Sequence, residues 1–286
     1  MNQAMKKYLI TAVAAILATS NVWGQSFPDG YLTPETRPTG FVKAPPALTS
    51  GEFGYDFYFY QWGRNQRDYD NVSQQALSDE SAELYTVFGQ DSIIGLKLTR
   101  ETSPEIILLC ECATSDAHKA NTVVKEKYER TRPFATFKEE SLKPWTDDEE
   151  AKTLSYPSGH SSRGYMFAFA LCTITPEHST EIMLRAQQYA LNRVICGHHW
   201  KTDIDASLLL AATMFANVVC TDEYQAQLKK AREEYKSLTG GGTRIDAPKA
   251  EVDTRSAAIY DMNGRQLNAK PNNGVYIQSG QKYISK

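Results

Sequence analysis

The stretch EHSTEIMLRAQQYALNRV (Glu177–Val194) places Ile182, Leu184, Ala186, Tyr189, Ala190 and Val194 at helical spacing, which predicts an amphipathic helix. Upstream, the apolar run Ser161–Thr173 opens just after Pro157-Ser158-Gly159-His160 and predicts a second helix. Downstream, Asp205–Val219 predicts a third, and the strongly charged Asp222–Leu238 a fourth. Further towards the N-terminus, Gln74–Phe88 and Thr122–Arg130 carry the same periodicity until Pro133 ends or kinks it. Between Pro133 and Tyr156 lies a polar loop with Asp147, Asp148, Glu149 and Glu150 in a row, the pattern of a solvated surface. Alternating β-branched patterns are nearly absent before residue 240, so the main domain is expected to be all-α, a helical bundle.

The two ends of the chain differ from this body. Lys6 and Lys7 precede an apolar run, Tyr8–Ala18, with permissive residues at Val22 and Gly24. That order predicts a signal peptide over residues 1–24 and hence an exported protein, periplasmic, secreted or at the cell surface. Residues 25 to about 50, rich in Pro, Thr and Gly, read as an extended lead-in to a domain over 25–239. Gly240-Gly241-Gly242 predicts a linker, and the tail over 240–286 is β-prone, with a tight turn at Asn263-Gly264 and strand-like flanks at Ser256–Tyr260 and Gly274–Ile277. This tail resembles the C-terminal sorting segments of some exported bacterial proteins, a resemblance that implies secretion machinery as a partner.

Composition excludes some classes. Lys and Arg number 31 against 34 Asp and Glu, a formal charge of −3 that would become −5 without Lys6 and Lys7. No basic stripe invites nucleic acid. The run Leu208–Cys220 is short and interrupted by Asn217, which fits a core helix better than a membrane span. Five cysteines (Cys110, Cys112, Cys172, Cys196 and Cys220) lack zinc-site spacing. In an oxidising compartment they predict one or two disulfides with at least one thiol left over.

Three segments carry chemistry. In KEKYERTRP (Lys125–Pro133), Lys125 and Arg132 are seven apart, so a continuous helix would present both from one face to a phosphate, with Tyr128 between them. The bland alternative is a wet helix face. In Tyr156-Pro157-Ser158-Gly159-His160, a Ser and a Gly at a helix start offer a hydroxyl and backbone N–H groups to an anion, and His160 can move a proton near neutral pH. An N-cap turn with an incidental His is the plain alternative. In NRVICGHHWKTD (Asn192–Asp203), His199 and Asp203 are four apart, so the carboxylate can orient the imidazole. His198 would point about 140° from Asp203 on a helix. Gly197 is expected to break the helix and let Arg193 turn into the same site.

In this order and spacing the three segments resemble the type 2 phosphatidic acid phosphatase superfamily, which includes the vanadium haloperoxidases. Its pattern is Lys, six residues, Arg-Pro; Pro-Ser-Gly-His; and Ser-Arg, five residues, His, three residues, Asp. Asn192 stands where the family usually has Ser. Over roughly residues 50–238 the chain looks most like the bacterial class A nonspecific acid phosphatases. The resemblance implies hydrolysis of phosphomonoesters through a phosphohistidine. Lys125, Arg132, Arg193, Ser158 and the Gly159 N–H would hold the phosphoryl oxygens. His199 would attack, Asp203 orient it, and His160 protonate the leaving alcohol. No cofactor or metal is implied, an acidic to near-neutral optimum is, and the soluble relatives suggest a homodimer. A vanadate-dependent haloperoxidase, a membrane lipid phosphatase and a non-catalytic anion-binding module are the competing readings.

Overall fold

Around one buried rod, Gly159–Ile174, the apolar periodicities assemble as helices. The computed structural model describes residues 28–80, 83–240, 259–260, 266–272, 274–278 and 281–285, and the chain falls into two compact units that part after Gly240. The signal segment over 1–24 and the Asn263-Gly264 turn lie outside the described residues.

In the first unit the described residues form α1 (Phe53–Gln66), α2 (Asp70–Ser78), α3 (Leu84–Phe88), α4 (Asp91–Ile94), α5 (Pro104–Tyr128), α6 (Pro133–Phe137), α7 (Asp147–Glu150), α8 (Gly159–Ile174), α9 (Ser179–Ile195), α10 (Lys201–Val218) and α11 (Asp222–Leu238), with no strand among them. The all-α expectation holds for this unit. Helix α8 is buried on nearly every face and packs on α5, α9 and α10, as a helix apolar all round must. Gly164 permits its close approach to α9, since a Cβ there would come within 2.7 Å of the Tyr189 ring. Pro104 starts α5, whose buried stripe of Ile106, Leu109, Cys110, Ala113, Ala117, Ala120 and Val124 faces the core.

Several expectations need correction. The periodic run Gln74–Phe88 is two helices, because Asp79 and Glu80 turn inward to meet Arg185, Asn192, Lys143 and Arg193 instead of continuing a helix. Leu184 lies on the solvent side of α9 at 61% exposure, while its supposed companions Ile182, Ala186, Tyr189, Ala190 and Val194 are buried. The acidic run is helical and not simply solvated, since Glu150 is buried against Arg132. All five cysteines are free. Cys110 and Cys112 sit two positions apart on α5 and so face different directions, and Cys196 is buried in a separate small cluster with Ala76 and Ile195. Among the described residues no single helix is long and apolar enough to cross a membrane.

The second unit holds a four-stranded antiparallel sheet in the order β2-β1-β3-β4, from β1 (Ile259–Tyr260), β2 (Gln266–Leu267), β3 (Gly274–Gln278) and β4 (Gln281–Ser285). Strand β4 went unmarked in the sequence. Tyr276 and Tyr283 stand opposite each other across β3 and β4 with rings stacked 5.3 Å apart, a cross-strand pair of the kind that stabilises small sheets.

Candidate active site

The helix that carries Lys125 ends early. Glu129 adopts a left-handed conformation (φ 45°), α5 stops at Tyr128, and Arg132 is the extended residue before Pro133. Lys125 and Arg132 therefore do not share a helix face. The chain folds back so that both line one cavity of about 340 Å³, together with Gly159, His160 and His199. Arg193, Ser158 and Asp203 stand behind that wall.

His199 also departs from the helical picture, since α10 begins only at Lys201 and His199 belongs to the turn before it. Gly197 makes that turn, with φ at 80°, and a Cβ there would lie 2.5 Å from the Arg67 guanidinium. Asp203, in the first turn of α10, accepts the Trp200 N–H at 2.9 Å with the same Oδ2 that meets His199 Nδ1 at 3.2 Å. On its other ring nitrogen, Nε2, His199 meets Arg132 Nη1 at 3.2 Å. A guanidinium can only donate, so Nε2 presents its lone pair and Nδ1 carries the proton that Asp203 accepts. Burial, then Arg132, Lys125 and Arg193, hold His199 well below its ordinary pKa, which keeps the ring neutral.

Arg132 is itself locked. Its Nε donates to the Glu150 carbonyl and the Thr153 hydroxyl, Nη1 to the His198 carbonyl, and Nη2 lies 3.0 Å from the Glu150 carboxylate. Lys125 donates to the Leu154 carbonyl, and burial, helped by Arg132, lowers it to about 7. Arg193 is 1% exposed. Its Nη2 meets His198 Nδ1 at 2.8 Å, whereas Nε and Nη1 find no acceptor among the described residues. Buried donors left over in this way suit an anion.

Ser158 is the N-cap of α8, its Oγ accepting from the Ser161 N–H and hydroxyl at 3.2 and 2.9 Å. Next to it Gly159 lines the cavity, where a Cβ would meet no protein atom closer than Asn121 Oδ1 at 3.9 Å. Packing does not demand a glycine there, and the space it leaves belongs to the cavity. His160 follows in the first turn of α8. Burial, then Arg193 and Arg163, push its imidazole well below the usual range. His198 is turned away from the cavity wall towards Arg193 and Glu80. Asn192, in place of the family's Ser, donates to Asp79 at 2.7 Å and does not reach the cavity.

Sequence reasoning missed the layer behind Asp203. Arg130 bridges two buried carboxylates, with Nη1 2.6 Å from Asp203 Oδ1 and Nη2 2.6 Å from Asp56 Oδ2. Asp56 also accepts the Thr202 N–H and hydroxyl, and the Arg130 guanidinium lies 5.1 Å over the Trp200 ring. One signal was available: Asp56 is a lone acid within the aromatic run FGYDFYFYQW. Arg163, which also lines the cavity, is likewise a lone cation in an apolar run. Among the described residues no group of three or more His, Cys, Asp or Glu side chains converges to hold a metal ion.

A helical core that brings a Lys-Arg pair, a Gly-His helix start and a His-Asp pair to one cavity is the arrangement of a known class, and residues 106–226 match the profile of the PAP2 superfamily. The chain is 31% identical over 248 residues to a non-specific acid phosphatase of Providencia stuartii, covering 82% of this chain and 99% of that protein. With a non-specific acid phosphatase of Salmonella typhimurium it shares 33% identity over 212 residues, 73% of this chain and 84% of the relative. The chain belongs to the PAP2 superfamily, in the family of the bacterial non-specific acid phosphatases.

Proposed function

We propose that this chain is an acid phosphatase that hydrolyses a broad range of phosphomonoesters through a phosphohistidine on His199, without a metal. Phosphatase activity follows from the family. The observation that carries the mechanism is the pair of contacts His199 makes, Nε2 3.2 Å from Arg132 Nη1 and Nδ1 3.2 Å from Asp203 Oδ2, from which the lone pair is assigned to Nε2 and the proton to Nδ1. In the first step Nε2 bonds to phosphorus as the ester P–O bond breaks, and the departing oxygen takes a proton from His160. In the second, water gives a proton to His160 and attacks phosphorus, and the P–N bond electrons return to Nε2. Lys125, Arg132 and Arg193, with the Gly159 N–H and the Ser158 hydroxyl, hold the non-reacting oxygens, filling with side-chain charge the role a metal would have.

Because burial and then the nearby arginines depress His160, its proton arrives with the substrate. A phosphomonoester bound as the monoanion, whose second pKa is about 6, brings the same proton count as a dianion on protonated His160. The acidic optimum then follows from the substrate as much as from the enzyme.

The proposed catalytic domain spans 25–239, exported by the 1–24 signal and sorted through the 240–286 tail, and it works as a homodimer. N-terminal sequencing of exported protein together with light scattering tests these points; a chain that begins at Met1, or a monomer at assay concentration, removes the corresponding part. The mechanism is tested by p-nitrophenyl phosphate hydrolysis from pH 4 to 9 by the mature chain and by His199→Ala, each with and without EDTA. Activity should resist EDTA, decline above about pH 6 and drop about 10³-fold or more in the variant. Equal rates in variant and wild type, or loss of activity in EDTA, would overturn it.

A further inference from the structure

Beyond the reacting groups, the cavity has a second charged wall. Arg163 lies three residues past His160 on α8 and lines the same cavity, about 4.5 Å further along the helix axis. It is 8% exposed, and its Nε donates to the Gly159 carbonyl at 3.2 Å, which fixes the guanidinium beside the start of α8. Opposite, α5 contributes His118, Asn121 and Thr122. Burial, then the nearby Arg163, Lys125 and Lys119, push His118 below its ordinary pKa, so Arg163 and His118 are close enough to feel each other. Glu126 is the one carboxylate lining the cavity. It stands eight residues beyond His118 on α5, about 12 Å along that helix.

In the proposed mechanism His160 faces the leaving oxygen, so whatever lies next to His160 along α8 faces the alcohol half of the substrate. A neutral alcohol offers a buried guanidinium at that place only an uncharged acceptor. An anionic substituent a few bonds from phosphorus offers more, through the charge-assisted hydrogen bonds an arginine makes with carboxylate or phosphate.

We propose that Arg163, assisted by His118, Asn121 and Thr122, forms a second anion subsite in this cavity, which selects phosphomonoesters whose alcohol half carries a carboxylate or a second phosphate. The inference rests on the phosphohistidine reading, which assigns His160 to the leaving group.

The test compares kcat/KM for 3-phosphoglycerate and glycerol 3-phosphate, which differ by a carboxylate in place of a hydroxymethyl group. In the wild type the ratio should exceed one by about tenfold, and Arg163→Met should bring it back towards one. A wild-type ratio of one or below, or a ratio that survives Arg163→Met in folded protein, would overturn the subsite. Should that buried substitution prevent folding, the exposed cavity residue Thr122 decides. Thr122→Glu sets a negative charge beside the subsite, and the ratio must fall. An unchanged ratio overturns the proposal. The two readings fail differently, because a folded wild type that hydrolyses neither substrate defeats the phosphatase mechanism, whereas turnover of both without preference defeats only the subsite.

Discussion

The two sides of His199 are built on opposite principles. Behind the ring, Asp203, Arg130, Asp56 and Thr202 form a closed set in which each carboxylate meets donors at 2.6–3.2 Å. In front, Lys125 and Arg132 line the cavity and Arg193 lies near enough to act on Arg132, with Glu150 against Arg132 and Glu80 3.5 Å from Arg193 as the nearby carboxylates. The consequence shows in the histidines: after burial, arginine is the largest cause that holds His160, His198 and His199 below their ordinary pKa. The back pairs each carboxylate with donors, whereas in front the pKa values of Lys125 and Arg132 are lowered by burial and then by a neighbouring arginine, a cost that an anion relieves. Such preorganised charge is what lowers the barrier to phosphoryl transfer.

The largest break in this comparison should come from Asp203→Asn. An amide can turn its NH2 towards His199 Nδ1, which would put the proton on Nε2 and remove the nucleophilic lone pair. A fall of about 10³–10⁴ in kcat is expected, as for the loss of an orienting carboxylate elsewhere. A loss under tenfold would mean that Asp203 does not set the tautomer.

Next in size is a pair of arginine substitutions that should part company. Arg130→Met leaves Asp56 and Asp203 as buried carboxylates without their counter-ion, so unfolding free energy should drop by about 3–5 kcal/mol. Arg193→Met removes a cation with two unpartnered buried nitrogens, so activity should fall about 10²-fold, while unfolding free energy drops by less than for Arg130→Met because Lys143 stays beside Glu80. Chemical denaturation beside steady-state kinetics reads both. If Arg193→Met destabilises as much as Arg130→Met, the contrast between front and back fails.

The same contrast explains what could be read in the sequence. The front was legible because phosphate chemistry restricts residue type: the segments holding Lys125, Arg132, His160 and His199 are recognisable as types at fixed spacing, even though the presumed geometry was wrong twice. A continuous helix was assumed from Lys125 to Arg132, and the chain instead leaves the helix at Glu129. His199 and Asp203 were placed on one helix, and the pair forms across the helix start. His199 and Asp203 meet through the local turn that opens α10, whereas Lys125 and Arg132 meet by tertiary folding, which local periodicity does not encode. The back was hidden for the same reason. Arg130 and Asp56 are 74 positions apart, and nothing within either local window says that the other will be there. Burial of the helical faces was the easier reading, because it needs only an apolar stripe; Leu184 shows its limit, since an apolar residue off the stripe stays exposed.

A last prediction reads burial and the neighbouring cations together, through the pH dependence of stability. In the fold His160, His198 and His199 all have depressed pKa values, while in the unfolded chain they titrate near 6.5. The unfolded state therefore binds more protons below that pH, and stability present above pH 6.5 is lost as pH falls. Each histidine contributes a slope of up to about 1.4 kcal/mol per pH unit until it protonates in the fold. Melting curves from pH 7.5 to 5 should show that decline, and saturating inorganic phosphate should flatten it, because an anion in the cavity raises the same pKa values and adds binding energy to the native state. His199→Asn should remove one histidine's share of the slope. A stability that is level or rising as pH falls through this window would show that the histidines are not held down by burial and the cations around them, and the contrast between front and back would fall with it.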